Sequence, residues 1–317
     1  MIKSKFSLFR AGLVLCAAVA MGVAGPVQAQ TKVRLGVTPI GDYITAYVAK
    51  DQGIFAKHGL DVTLQTVAIS PMAAAGLMSG SLDLATPTAV DLIQAVDSGL
   101  DLVAVSSVGV LAKTTGTRSG VLLRPDVDIK QPADYAGKKI GQASLGGMLH
   151  VLFRNYLLEN GVDPSKVNDV EIGVPSHFDA LKGRSVEAVV TADPMLSRIL
   201  ATRTGTQAIS LADTVPADTV TGLVASTRTY AQKNPAVITA FRAAWKEATA
   251  LVIADHAMTR SAIVKHLRLP EPVAASLTMP LSVTTDVTPK QLQWWVEVMR
   301  KQNMLRGKVD PQNLIAR

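Results

Sequence analysis

The chain is nearly without cysteine. Its one cysteine, Cys16, sits inside an N-terminal apolar run, so export with cleavage leaves a mature chain that has none. That absence excludes disulfides, thiol catalysis and cysteine-ligated metal. Aromatic residues make up only 4% of the chain. Stacked sugars and caged quaternary amines are therefore poorer candidates than a small polar ligand. The five histidines are scattered, and none has the His-x-x-x-His spacing or a paired glutamate that would suggest a metal site. No serine stands in a Gly-x-Ser-x-Gly elbow, and no nucleophile-base-acid set can be assembled. Basic residues do not run together despite a formal charge of +7, so no nucleic-acid surface is indicated. Beyond the N-terminus no apolar run is long enough to cross a bilayer. No enzyme activity, cofactor or metal is expected.

The first 29 residues read as a secretory signal. Lys3, Lys5 and Arg10 form a basic start, Ala11 to Gly25 an apolar stretch, and Val27-Gln28-Ala29 a small-residue cleavage site. Cleavage after Ala29 leaves 288 residues and a formal charge of +4, long for one core and suited to two lobes. A soluble, periplasmic, monomeric protein is expected.

One stretch occurs twice. Leu77-Met78-Ser79-Gly80-Ser81-Leu82-Asp83-Leu84-Ala85 aligns without gaps with Leu181-Lys182-Gly183-Arg184-Ser185-Val186-Glu187-Ala188-Val189. Each copy reads as a helix end, a turn, a short apolar strand and a polar loop opening another helix. Helix–strand–helix connections imply an α/β fold with mainly parallel sheets. Two copies about a hundred residues apart imply two similar lobes. Ligands of such sheets sit beyond the carboxyl ends of the strands, which places a cleft between the lobes.

Strands are expected at 32–37, 61–67, 102–108, 121–123, 139–141, 170–172 and 208–209. A helix is expected from Ile44 to about His58. Ser70-Pro71 has the form of a helix start, with serine as N-cap and proline at the first position. Ser176-His177-Phe178-Asp179 has capping-box spacing. Residues 111–119 turn polar and mark a first interlobe crossing, and the chain should return near Thr219 to Leu223. The remainder is helical, with Ile238, Phe241, Trp245, Ala248 and Val252 on one face and Leu292, Trp295 and Met299 on another. This gives a signal peptide at 1–29, lobe one from 30–112 plus 221–317, and lobe two from 113–220.

Several segments then carry a resemblance: Ala49-Lys50-Asp51-Gln52-Gly53-Ile54-Phe55, Gly59-Leu60-Asp61-Val62, both repeat copies, Asp134-Tyr135-Ala136-Gly137-Lys138-Lys139-Ile140-Gly141, and Leu157-Leu158-Glu159-Asn160-Gly161-Val162-Asp163. In order and spacing the chain resembles the periplasmic solute-binding proteins of ABC importers, in the branch for aliphatic sulfonates, taurine, nitrate and thiamine-precursor pyrimidines. The resemblance covers about residues 32–265. It implies a type II periplasmic-binding-protein fold with two crossings, a cleft that closes on ligand, and docking onto a membrane permease and its ATPase. The chain departs from the family in carrying Asp193-Pro194 where Glu-Pro is common. It also lacks the cysteine-rich motif of the fungal pyrimidine synthases that share the fold.

Candidate ligand contacts lie on the loops that follow the strands. In lobe one they are Thr38, Asp42, Tyr43, Ser70, Thr86 and Thr88. In lobe two they are Ser144, Gly146 and Gly147, where a hydroxyl and two glycines open a helix, together with His150, His177 and Asp193. Capping explains Ser144 and Asp42 equally well. No arginine lies on loops 38–43, 70–72, 86–88, 144–150, 175–178 or 191–194, so an anion would rely on hydroxyls, histidines and the helix start. Asp42 and Asp193 favour an amine or a heterocycle with N–H donors. A sulfonate is expected first and a carboxylate second. The alternatives are a pyrimidine or thiamine precursor, an aromatic carboxylate, an enzyme of the same fold, or a sensor that reports the ligand to a membrane kinase.

Overall fold

Period-two alternation builds the strands. A computed structural model describes residues 30–67, 72–111, 118–217, 219–277, 279 and 283–317. The signal segment, Ser70-Pro71 and the crossing at 113–117 lie outside them. Strand β1 (Thr31–Val37) buries Val33, Leu35 and Val37 and exposes Lys32 and Arg34, the pattern of a strand covered on one side. The helix expected from Ile44 divides at Gly53 into α1 (Ile44–Asp51) and α2 (Ile54–Lys57). Then come β2 (Leu60–Thr66), α3 (Met72–Met78), β3 (Leu84–Ala85), α4 (Ala89–Asp97) and β4 (Leu102–Leu111).

The second unit comprises β5 (Ser119–Leu123), β6 (Lys139–Gln142), α5 (Met148–Glu159), β7 (Asn168–Glu171), α6 (His177–Lys182), β8 (Ala188–Ala192), α7 (Met195–Ala201) and β9 (Thr206–Ser210). Strand β10 (Thr219–Thr227) returns to the first sheet, and α8 (Arg228–Lys233), α9 (Pro235–Ala254), α10 (His256–Leu267), α11 (Glu271–Ser276) and α12 (Pro289–Lys301) complete the chain. The expected box at Ser176 does not form. Ser176 already belongs to a 3-10 turn (Val174–Ser176), and its side chain makes no cap bond.

The sheets have orders β2-β1-β3-β10-β4 and β7-β6-β8-β5-β9. Each is mainly parallel with one antiparallel strand, β10 and β5 respectively, in the fourth place. The fold is α/β, in the two-sheet arrangement of periplasmic binding proteins.

The repeat holds at the level of atoms. β3 and β8 take the third place in their sheets. Asp83 Oδ2 accepts from the Arg34 amide of β1 at 2.8 Å, and Glu187 Oε2 accepts from the Lys139 amide of β6 at 2.7 Å. Ser81 Oγ donates to Gly76 O and Ser185 Oγ donates to Ala180 O, both at 3.1 Å. In each copy a carboxylate therefore takes the amide of the neighbouring strand, and a serine closes the turn before it.

Helix stripes supply the core. Phe241, Trp245 and Ala248 of α9 are fully buried on the first sheet, and Trp245 Nε1 donates to Ser107 O at 3.1 Å. α12 places Trp295 against β10, where its Nε1 donates to Val220 O. One core cluster runs from Leu92, Leu223 and Trp295 through Leu152 and Phe153 of α5 to Ile140 and Val190 of the second sheet. The two sheets thus share apolar packing along the side formed by α4, α5 and α12.

The repeats differ in one respect that can be measured. The left-handed turn position is Gly80 (φ 70°) in the first copy and Arg184 (φ 59°) in the second. A side chain costs about 1–2 kcal/mol in that conformation. Gly80→Ala should therefore destabilise the mature protein by about 1 kcal/mol or more, while Arg184→Gly should leave stability unchanged or raise it by up to about 1 kcal/mol. Urea unfolding of both variants checks this. A clear loss of stability in Arg184→Gly would show that the Arg184 side chain outweighs its backbone strain.

Candidate functional site

Parallel strands end together, so the loops after β1, β3, β6 and β8 mark one edge of each sheet. At the first sheet, the Thr38 amide donates to Thr86 Oγ1 at 3.2 Å, and the Thr86 amide donates to Gly36 O. The Thr38 hydroxyl is buried and has no partner among the described residues. Thr88 is the N-cap of α4 in a reciprocal box with Asp91. Tyr43 lies in the core, 1% exposed, and its ring fills the space above Gly222, where a Cβ would come within 2.9 Å of Cε1. Burial raises the Tyr43 phenol pKa well above its ordinary value. Ser70 lies outside the described residues.

At the second sheet, the Ser144–Gly147 loop opens α5, but its amides are already engaged. Leu145 N–H donates to Glu171 Oε2 at 2.9 Å, Gly146 N–H to His150 Nδ1 at 2.8 Å, and Gly147 N–H to Ser144 O at 3.3 Å. By helix geometry, the amides left for a ligand are those of Met148 to His150. Ser144 itself is exposed. A Cβ on Gly147 would lie 3.2 Å from Ser144 Cβ, so substitution there perturbs packing whatever its charge.

His150 is buried, at 8% exposure, in place of the open cleft position expected. A backbone N–H can only donate, so His150 Nδ1 must carry a lone pair and Nε2 the proton. Nε2 then donates to Asp169 Oδ2 at 3.0 Å, whose Oδ1 accepts from Gln142 Nε2 at 2.7 Å. Both ring nitrogens are committed to holding the loop. Gln94 of α4 closes the network by donating to Gly146 O at 3.2 Å. His177 is fully buried, and Nε2 donates to Ile172 O at 2.8 Å. Its Nδ1 has no partner among the described residues, and burial lowers the imidazole pKa.

The residue that sequence reasoning missed is Arg118. Its Nη2 donates to Asp42 Oδ1 at 2.9 Å, and its carbonyl accepts from the Asp193 amide at 2.8 Å. It was overlooked because only loops after parallel strands were searched. β5 runs antiparallel to β8, with Ser119 opposite Ala192. The amino end of β5 therefore falls at the same edge as the carboxyl ends of its neighbours. The same reversal brings the start of β10 to the edge of the first sheet, where Leu223 N–H donates to Pro87 O. Buried hydroxyls without partners among the described residues stand on these strands: Ser119 on β5, Thr191 on β8 and Thr221 on β10. Inverting one strand in each sheet is the signal that would have found them.

Asp193 caps α7, its Oδ1 accepting from Ser197 N–H at 3.0 Å and from Ser197 Oγ at 2.6 Å. Burial raises its pKa despite these bonds and the nearby Arg118 charge, and the Asp42 carboxylate pushes the same way. Among the described residues, the edge between the sheets thus holds the Arg118 guanidinium, the Asp42 and Asp193 carboxylates and several hydroxyls without partners. Such a set can bind a small polar solute. Among the described residues no cluster of three metal-ligating side chains occurs.

The profile of the family described as NMT1/THI5 like matches residues 41–257. The chain belongs to that family. No curated protein matches it. Among solved structures the chain is similar to the periplasmic aliphatic sulphonate binding protein SsuA from Escherichia coli, with 23% identity over 90% of this chain and 97% of that one and a TM-score of 0.77. It is also similar to the alkanesulfonate-binding protein SsuA from Xanthomonas axonopodis pv. citri bound to MOPS, with 18% identity, 90% and 98% coverage and a TM-score of 0.75. A third similar structure is the periplasmic nitrate-binding protein NrtA from Synechocystis PCC 6803, with 16% identity, 89% and 84% coverage and a TM-score of 0.71. At these identities the likeness carries the fold, which this NMT1/THI5-like chain shares over nine-tenths of its length.

The buried carboxylate makes a pH prediction. An acid whose folded pKa is raised binds more protons folded than unfolded. Its contribution to stability therefore falls as pH rises from the ordinary carboxylate value through the raised one. Asp193→Asn keeps an oxygen for Ser197 and removes the charge. The variant should melt at the same temperature or higher than wild type at neutral pH, and should lose less stability between about pH 4 and 7. Thermal melts across that range measure it. A lower melting temperature at neutral pH would mean that Arg118 attracts Asp193 more strongly than burial disfavours its charge.

Proposed function

We propose that this protein is an exported solute-binding protein that captures a small organic anion between its two sheets and delivers it to an ABC-type importer. The observation that carries this reading is Arg118, held at the sheet edge by Asp42 at 2.9 Å and tied through its carbonyl to Asp193. A guanidinium has five donors in a fixed fork, and Asp42 takes one of them, leaving directions open toward an oxyanion. The hydroxyls of Thr38, Ser119, Thr191 and Thr221, which have no partner among the described residues, are further donors of the kind a weakly hydrated oxyanion accepts.

Sulfonate is the first choice and carboxylate the second. Asp42 and Asp193 suit a ligand that also carries a cationic or N–H group, as a taurine-like aminosulfonate does. Ile40, Met72 and Leu145 are exposed apolar residues beside these loops, which fits a short aliphatic ligand. The reading is a binding role without catalysis or cofactor, in a periplasmic monomer whose partners are the importer's permease and ATPase. Its lobes are 30–112 with 221–317 and 113–220. The sulfonate- and nitrate-binding neighbours support this choice of ligand class.

Two experiments test it. In a thermal screen of sulfonates, carboxylates, nitrate, pyrimidines and amino acids at equal concentration, 2-aminoethanesulfonate and short alkanesulfonates should raise the melting temperature by several degrees. That corresponds to about 2.7 kcal/mol at a hundredfold excess over Kd. Arg118→Gln, folded by circular dichroism, should lose the shift and Arg118→Lys should keep part of it. Shifts produced only by cations or neutral heterocycles would reject the anion reading. For localisation, N-terminal sequencing of the protein from a periplasmic extract should begin at Gln30, and a cytoplasmic protein that retains Met1 would overturn it.

A further inference from the structure

α12 joins the two units on the side of the shared core. Gln302 Nε2 donates to Val151 O of α5 at 2.9 Å, and Lys301 pairs with Glu159 at 2.9 Å. Between α12, α5 and the turn Leu211–Thr214 lies a cavity of about 390 Å³ whose walls include Asn155, Glu159, Asp213, Trp294, Glu297 and Lys301. None of the cleft residues described above lines it.

Three features of this cavity point to one kind of occupant. Asn155 is 4% exposed, yet its Oδ1 meets no donor among the described residues. A buried amide oxygen is ordinarily paired, so a donor is called for from within the cavity. The charges are unbalanced. Lys301 is taken by Glu159, Glu297 accepts only from the neutral Gln293 amide at 2.7 Å, and Asp213 has no cationic partner among the described residues. Trp294 is half-buried and packs edge-on against Trp295 with ring centroids 4.8 Å apart. Aromatic surface beside uncompensated carboxylates attracts an organic cation.

We propose that this cavity binds a small primary alkylammonium ion. Its N–H groups donate to Asn155 Oδ1, its charge is balanced by Asp213 and Glu297, and its alkyl part covers the Trp294 ring. An anion is excluded by the carboxylates. A quaternary ammonium has no N–H for Asn155. A metal ion lacks the required cluster of three ligating side chains among the described residues. The site is separate from the anion cleft and does not depend on it.

The test uses the mature protein and n-butylammonium chloride as probe. Trp245 and Trp295 are fully buried, so acrylamide quenching of tryptophan fluorescence reports chiefly on Trp294. Butylammonium should protect the emission saturably, whereas sodium chloride and tetramethylammonium chloride at equal concentration should not. Asn155→Leu and the double variant Asp213→Asn with Glu297→Gln should each weaken the protection by about tenfold or more, and Arg118→Gln should leave it unchanged. Asp213 and Glu297 are exposed, so the double variant remains informative even if Asn155→Leu fails to fold. Protection that does not saturate, that sodium chloride reproduces, or that survives in the double variant would overturn the proposal.

Discussion

The arrangement of the candidate site depends on one guanidinium at the meeting of two sheets. Arg118 is fixed twice, through its carbonyl to the Asp193 amide of the second sheet and through its side chain to Asp42 in the turn after β1 of the first. Neither carboxylate is in free water. Asp193 is buried enough that its neutral form gains, and the Asp42 side chain is 32% exposed. Among the described residues, one guanidinium faces two carboxylates there. Opposite charges therefore lie side by side at this edge.

What places Arg118 there is strand direction. In an all-parallel sheet every amino end faces away from the ligand edge. Each sheet here has one reversed strand, β5 or β10, and each reversed strand carries the chain into its sheet after a connection from the other. The reversal brings the first residues of β5 and β10 to the edge where the parallel strands end. Arg118 and Ser119 at the start of β5 and Thr219 and Thr221 of β10 therefore lie at that edge. Asp193→Asn and Arg118→Gln probe two consequences of the same geometry, one through burial and one through the ligand.

Much of the architecture was legible because it is written twice. Leu77 and Leu181, Asp83 and Glu187, and Ser81 and Ser185 align in sequence and perform the same task in space. Helix stripes such as Phe241, Trp245 and Ala248 were equally readable, since burial on one face imposes a period that survives in the sequence. Site residues have no such period. His150 carries the chemistry of a ligand contact, but its neighbours in space are Gly146, four residues away, and Asp169, on strand β7. Tyr43 and Thr88 lie on ligand-edge loops, yet one fills the core and the other caps a helix. Arg118 was passed over because the reversal of β5 is a property of the sheet, visible only once the pairing partners are known.

The helix that opens the second unit's loop shows how cleft and core are linked. α5 begins at the loop whose Gly146 amide is held by His150, and Gly146 O accepts from Gln94 of α4 in the first unit. Along its length α5 buries Leu152 and Phe153 in the core shared by both sheets, and Val151 O accepts from Gln302 just beyond α12. A displacement of the loop therefore cannot be local. It must break the Gln94 or His150 bond, or carry α5 against a core packed at crystal-like density. Breaking either leaves a polar group unpaired at a cost of about 1–3 kcal/mol, equivalent to about 5- to 150-fold in an equilibrium constant. The position of the Ser144–Gly147 loop and the packing along α4, α5 and α12 are thus tied together through one element.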